Sequence, residues 1–329
     1  MSADATTPDV VPTKAPRASL GGRAGRLLRG ALRTRRGQIG LLLTLIVVGI
    51  AFLGPLFAGS PTALHGGPFE APGGVAGPLG GDSLGRSVLD RVLDGGWRIL
   101  LISAAATAMA IVLGSIAGVV AAYRGGFADT LIMRTVDVLL GIPSLVFVLM
   151  LLSVIGSHAW LVIVGVGLTQ APQVARVLRA AAQDVSERDY VKAVAAWGVP
   201  PRTVIRRHVI PSLLTPLMVE SALRLSFSII LVASLSFLGL GTQPPTADWG
   251  VMINENRVGL AQNVWGVLAP AILLATLAVG TNMFSDAIAR ANLSAGSAGD
   301  PTLQMALTSS NVAEGDEPVG LDAIDEGPG

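Results

Sequence analysis

The chain has 329 residues, 51% hydrophobic and only 14% charged, well below the roughly 25% charge of soluble domains. A net charge of +1 hides a division: residues 1–36 carry eight Lys/Arg against Asp4 and Asp9, and residues 291–329 carry seven Asp/Glu and no base. The absence of cysteine excludes disulfides, thiolate metal sites and cysteine nucleophiles. The two lysines, Lys14 and Lys192, follow Thr13 and Val191, which excludes a phosphate loop of the G-x-x-x-x-G-K type.

Residues 1–36 read as a basic arm suited to an anionic lipid surface. Six apolar runs follow, near Ile39–Phe57, Ile99–Tyr123, Leu131–Ile155, Ala159–Ala175, Val209–Leu240 and Val264–Ala289. A bilayer crossing needs about 20 such residues, and lipid forces each to satisfy its own backbone groups, so each predicts a helix. The first run is followed by Ala58-Gly59-Ser60, as a cleaved leader would be, but its length favours an uncleaved span. The fourth is short and its end is blurred by Gln170, Pro172 and Gln173.

The region before the second run contains Gly81-Asp82-Ser83-Leu84-Gly85, the spacing of a nucleophile elbow. An elbow needs a preceding strand, and the Gly- and Pro-rich residues 71–79 do not provide one. Asp82 or Ser83 is better suited to cap a short helix over 85–93. Gly114 and Gly118 form a G-x-x-x-G packing face. Pro143 and Pro270 predict kinks, and Asp137 and Asp286 read as solvated helix ends near Arg134 and Arg290. His65, His158 and His208 lack metal-ligand spacing.

Basic residues fix orientation. Arg29, Arg33, Arg35 and Arg36, then Arg124, then Arg176, Arg179, Arg188, Lys192, Arg202, Arg206 and Arg207, and finally Arg290 all fall on one side of six crossings. Arg98 is a minor dissent. Both termini and the 176–208 connection are therefore expected in the cytoplasm.

That connection carries its own helix signals. Ser186 is a candidate N-cap, with Asp189 at the capping-box position, and Tyr190, Ala193, Val194 and Trp197 recur as one apolar face. Gly198 supplies a stop and Pro200-Pro201 a restart. The apolar face either packs on the chain's own spans or enters a groove on a partner. Inside the fifth run, Glu220 and Arg224 are spaced for an i,i+4 ion pair, with Ser228 one turn further. The three either line a path through the membrane or serve an interface with another membrane subunit.

Lys192-Ala193-Val194, Gly198 and, nine residues on, His208-Val209-Ile210-Pro211 resemble the coupling loop of permease subunits of binding-protein-dependent ABC importers. Lys192 and Val194 replace that family's acid and second alanine. The ending, with Gly80-Gly81-Asp82-Ser83-Leu84-Gly85-Arg86-Ser87-Val88-Leu89-Asp90-Arg91, Asp137–Pro143, Ser234–Gly241, Gln243-Pro244-Pro245 and Trp249-Gly250, is similar to the C-type subunit of the dipeptide, oligopeptide and nickel branch. The resemblance implies an all-α polytopic membrane protein with six transmembrane helices and a cytoplasmic coupling helix. Its parts are an arm (1–36), a permease domain (37–290, with its coupling segment at 184–211) and an acidic tail (291–329) that reads as disordered.

The implied activity is non-catalytic: passage of di- or oligopeptides by alternating access in the cell membrane. ATP and Mg would bind two separate ATPase subunits, and this chain would hold no cofactor or metal. A second permease, an extracytoplasmic binding protein and membrane lipid complete the partners; no nucleic acid is expected. Tyr190, Lys192, Ala193, Val194, Ala196, Trp197, Gly198, Arg202 and Pro211 are the implied ATPase contacts. A nickel-carrying permease, or a self-sufficient transporter or channel, are the alternatives. Internal repeats would favour the latter, and none is apparent between 37–155 and 159–290.

Overall fold

The computed structural model describes residue 25 and residues 29–297. Most of the basic arm and the acidic tail from residue 298 onward lie outside the described residues. Every regular element among those described is helical, apart from isolated bridges such as Leu64–Arg86.

Helix α1 (Arg35–Phe57) starts at Thr34, whose Oγ1 accepts from the Gly37 N–H at 3.1 Å. A short helix α2 (Val88–Asp94) turns at Gly95 into α3 (Gly96–Arg124). The expected cap residues do not cap α2. Ser87 does, accepting from the Asp90 N–H, because Asp82 is already committed to Arg86 and Arg91.

The third apolar run departs from a single kinked helix. It is broken into α4 (Gly126–Leu140) and α5 (Ser144–Ile155), which meet at 83°. Pro143 lacks an N–H and pushes Ile142 away from helical geometry, so Gly141-Ile142-Pro143 ends one helix and aims the next. The fourth run departs the other way: α6 spans Ala159–Ser186, a full three turns past the expected end. Two short helices, α7 (Asp189–Ala196) and α8 (Pro201–Val204), and a wide turn at Ile205–Val209 lead into α9 (Ile210–Phe237). Helix α10 (Trp249–Asn256) and α11 (Trp265–Ser297) end the described residues, and α11 takes in 291–297, the start of the tail expected to be disordered.

Five helices or helix pairs, α1, α2–α3, α6, α9 and α11, are long and apolar enough to cross a membrane, and the bent α4–α5 pair makes a sixth. Two contacts show that this pair goes from one side to the other. Asp129 at its start pairs with Arg179 near the end of α6, and Ser157 just after it donates to the Leu240 carbonyl beyond the end of α9. Residues 29–36, 124–126, 187–209 and 290 therefore share one side, the arm side. Residues 58–95, 156–158 and 238–264 share the other, the loop side.

Small residues set the closest packing. A Cβ on Gly114 would lie 2.5 Å from Val174 Cβ, and one on Gly118 2.5 Å from the Ala175 carbonyl oxygen. The G-x-x-x-G face thus lets α3 and α6 touch backbone to backbone, and this is the most extensive helix pair among the described residues. Gly40 and Gly280 do the same for α1 and α11. The main core, around Val92, Ile99, Leu235, Trp249 and Leu277, ties α2 and α10 to the spans, and Trp249 Nε1 donates to the Val92 carbonyl at 2.8 Å.

A candidate coupling segment and a buried polar cluster

The arm-side connection begins differently from its expected form. Ser186 is not an N-cap; it is the last residue of α6, and its Oγ donates to the Ala182 carbonyl at 2.8 Å. The new helix starts at Asp189, whose charge suits the N-terminal dipole. Gly198 has φ +78°, with nothing within 4 Å of a notional Cβ. It is required for its backbone conformation alone, which an L side chain disfavours.

The segment is held by valines. Val191, Val204 and Val209 are buried with Ala182, Val185 and Leu213, and Val194, Val199 and Tyr123 pack around them. The expected apolar face is therefore divided. Val194 joins this cluster, whereas Ala193 is exposed, Tyr190 is 47% exposed and Trp197 81% exposed. Lys192, Ala196, Gly198 and Arg202 are exposed as well, and Pro211 is half-buried in the first turn of α9. The connection is thus a packed bracket with an indole facing outward, and Ile205–Val209 joins it to α9 without a break.

Helix α9 carries charge into the apolar layer. Glu220 and Arg224 are 5% and 8% exposed, and Arg224 Nε lies 2.9 Å from Glu220 Oε1. That contact is an ion pair whose N–H is poorly aligned for a hydrogen bond, since neither atom has a hydrogen-bond partner among the described residues. Arg224 Nη1 donates instead to Gln173 Oε1 on α6, and its guanidinium carbon lies 5.0 Å from the centre of the Phe227 ring. Ser228 is fully buried between helices: it accepts from Gln170 Nε2 at 2.6 Å and lies 2.8 Å from Thr107 Oγ1. A cavity of about 290 Å³ opens beside these groups, lined among others by Ser144, Gln170, Gln173, Arg224 and Phe227. Glutamines 170 and 173, which in the sequence only blur the end of a span, are the partners of Ser228 and Arg224. Their spacing of three places both on one helix face, the one cue in the sequence.

Arg98–Asp94 and Arg188–Asp184 are local i,i+4 pairs, whereas two other pairs cross between elements. Asp137 meets Arg176 at 2.7 Å, not Arg134, and both are exposed. Asp129 and Arg179 form a two-pronged pair at 2.5 Å that ties α4 to α6. Asp286 shares a cleft with Arg35, Arg36 and Arg290 at the arm-side surface.

On the loop side, the elbow-like stretch is not an elbow. Asp82 is buried, with Oδ2 at 2.6 Å from Arg86 Nε and 2.5 Å from Arg91 Nη1. Glu255 of α10 meets the same arginines at 3.1 and 2.6 Å, and the Ser83 N–H donates to Asn256 Oδ1. Burial opposes ionisation of Asp82. The backbone N–H groups of Arg86 and Leu84 and the two guanidiniums outweigh it, holding the carboxyl below the usual carboxylate range. Asp248, the fully buried cap of α10, is pushed up by burial despite N–H donors from Val251 and Gly250.

Residues 110–293 match the family described as the binding-protein-dependent transport system inner membrane component. The chain belongs to this family. It is 34% identical over 261 residues to a peptide transport system permease protein of Brucella suis biovar 1, covering 79% of this chain and 88% of the relative. It is 36% identical to a peptide permease protein of Brucella ovis, over 61% of this chain and 68% of that one. A D,D-dipeptide transport system permease protein of Escherichia coli K12 is 33% identical, with 64% and 70% covered. The six-crossing helical body is that of a multi-pass permease in a transport system that includes a binding protein. Membership in this family removes the ground for a self-sufficient transporter or channel.

Proposed function

We propose that this chain is the non-catalytic permease subunit of an ATP-driven importer of di- or oligopeptides in the cell membrane. The observation that carries this is the bracket at 189–211. Its apolar anchors face inward, Trp197 faces outward, and it is continuous with α9, which bears Glu220, Arg224 and Ser228. A partner gripping Tyr190, Lys192, Ala193, Ala196 and Trp197 would move the polar path directly, with Gly198 and Arg202 at the turn and Pro211 at the joint. Two ATPase subunits holding ATP and Mg are the proposed grip, and their closure would rock the spans between outward- and inward-open states.

The arm side is the cytoplasmic side in this proposal, as its basic residues favour, and both termini lie there. A second, homologous permease faces this one across the path, the binding protein docks on the loop side, and the basic arm meets anionic lipid. Peptide is preferred over nickel because the relatives named above carry peptide names.

Reconstitution tests this. Vesicles holding only this chain should show no uptake, and vesicles with the whole complex should import peptide only with ATP. Cross-links from Ala193 or Trp197 should reach an ATPase subunit; cross-links confined to this chain would refute the grip.

A further inference from the structure

The cleft where α1 meets α11 on the arm side gathers like charges. Arg35 and Arg36 from α1 and Arg290 from α11 line it with one carboxylate, Asp286, and all four are exposed. Packing brings them together. Ala31 is buried with Ala287 and Ile288, and a Cβ on Gly40 would lie 2.7 Å from the Phe284 nitrogen, so the first and last spans touch closely at this end. Arg35 and Arg36 meet no carboxylate within ion-pair distance among the described residues. Three guanidiniums against one carboxylate leave an excess of positive charge, and the guanidinium fork matches a phosphate. At about 330 Å³ the cleft falls within the range of small-molecule sites, roughly 300–1,000 Å³.

Depth and shape decide which anion fits. Helix α1 has 23 residues, a length of about 34 Å against a hydrocarbon layer of about 30 Å. Its first residue, Arg35, therefore stands at the membrane boundary. Below it, Ile39, Leu42 and Ile46 follow at i+4, i+7 and i+11, so one helix face carries all four, and the three apolar side chains are exposed. A guanidinium above an exposed apolar stripe matches a phosphate above an acyl chain. Free phosphate and acidic peptide leave the stripe unused.

We propose that this cleft binds the headgroup of an anionic phospholipid, with Arg35, Arg36 and Arg290 around the phosphate and an acyl chain along Ile39, Leu42 and Ile46. The lipid ties the first span to the last. The site deepens the lipid contact proposed above and extends it from the basic arm to α11. It requires α1 and α11 to cross a bilayer and is independent of the cargo. Residues 298–329 of the same chain, with seven Asp/Glu, are the competing occupant.

The test titrates the purified complex with phosphatidylglycerol or phosphatidylcholine of identical acyl chains, and native mass spectrometry counts the bound lipid. Wild type should prefer phosphatidylglycerol. Arg35→Gln with Arg290→Gln should weaken that binding about thirtyfold, roughly fivefold per arginine. Arg124→Gln with Arg134→Gln removes the same charge outside the cleft and should weaken it by no more than about threefold. Equal losses in the two double variants, or no preference in wild type, would overturn the site. Inorganic phosphate competing as well as the lipid would overturn the lipid as its ligand. A photoreactive residue in place of Met283, which lines the cleft, should capture phosphatidylglycerol whether or not the double variants assemble. Capture of residues 298–329 or of the second permease instead would overturn the proposal. Vesicles that bind the lipid but import no peptide would remove the transport function and leave the site standing.

Discussion

Glu220 and Arg224 stand one turn apart on α9, both buried, 2.9 Å apart, and Arg224 is also tied to Gln173 on α6. A charge pair in an apolar layer survives only if each member neutralises the other, because a single charge at mid-bilayer is disfavoured by about 2.5–3.5 kcal/mol even on insertion scales. Through Gln173, Arg224 links α9, which follows the 187–209 connection, to α6, which precedes it.

Breaking that pair from one side should therefore be worse than removing it whole. Arg224→Ala or Glu220→Ala is expected to destabilise the chain by about 3–5 kcal/mol, and the double change Glu220→Gln with Arg224→Met by much less. Thermal unfolding of the detergent-purified complex would measure the difference. A double variant as unstable as the sum of the singles would contradict the coupling.

Gly198 sets up a second expectation. Its φ of +78° lies where an L side chain is disfavoured by roughly 1–2 kcal/mol, and no neighbour obstructs a new side chain. Gly198→Val should insert and assemble but couple poorly, raising ATP hydrolysed per peptide imported. Gly198→Asn, which tolerates this conformation, should be milder. Equal coupling in Gly198→Val and wild type would show that the turn transmits nothing.

Trp197 and Val191 should separate docking from folding. Trp197 is 81% exposed and Val191 is 3% exposed. Trp197→Ala should change the stability of the chain by no more than about 0.5 kcal/mol yet weaken association with the ATPase subunits in pull-down. Val191→Asp should destabilise the segment itself, through an unpaired buried charge, seen as faster proteolysis between α6 and α9.

The α3–α6 contact leaves no room for growth. Gly118→Leu would meet the Ala175 carbonyl oxygen 2.5 Å from its first side-chain atom. Overpacking of this kind destabilises by about 1–3 kcal/mol, so a lowered melting temperature and reduced yield are expected, whereas Gly49→Ala, with open space around it, should be neutral.

Acid should loosen the loop side through Asp82. Its folded carboxyl lies below the ordinary value near about 3.9. Its charge therefore stabilises the fold above that value, and the contribution is lost as pH falls through the lower folded value. Asp248 is shifted the other way and gains as pH falls, so the comparison must be with Asp82→Asn. The gap in melting temperature between wild type and Asp82→Asn should narrow from about pH 6 to about pH 3; a widening gap would reverse the sign.

Much of this was legible from the chain. Long apolar runs in lipid read as helices, so the order of the spans follows from the sequence pattern, although the third run is two helices and the fourth is longer than expected. Gly198 in a charged stretch before Pro200-Pro201 marks a helix stop because only its backbone freedom fits, and Glu220–Arg224 are adjacent because a helix brings i and i+4 together. Other features depend on pairs far apart in sequence. Asp82 joins Arg91 and Glu255, Asp129 joins Arg179, and Gln170 and Gln173 meet Ser228 and Arg224. The 83° break at Pro143 and the inward turn of Val191 and Val194 likewise needed the packed molecule. Periodicity says which residues share a face of one helix, but which neighbour that face meets is settled only when all the spans pack at once.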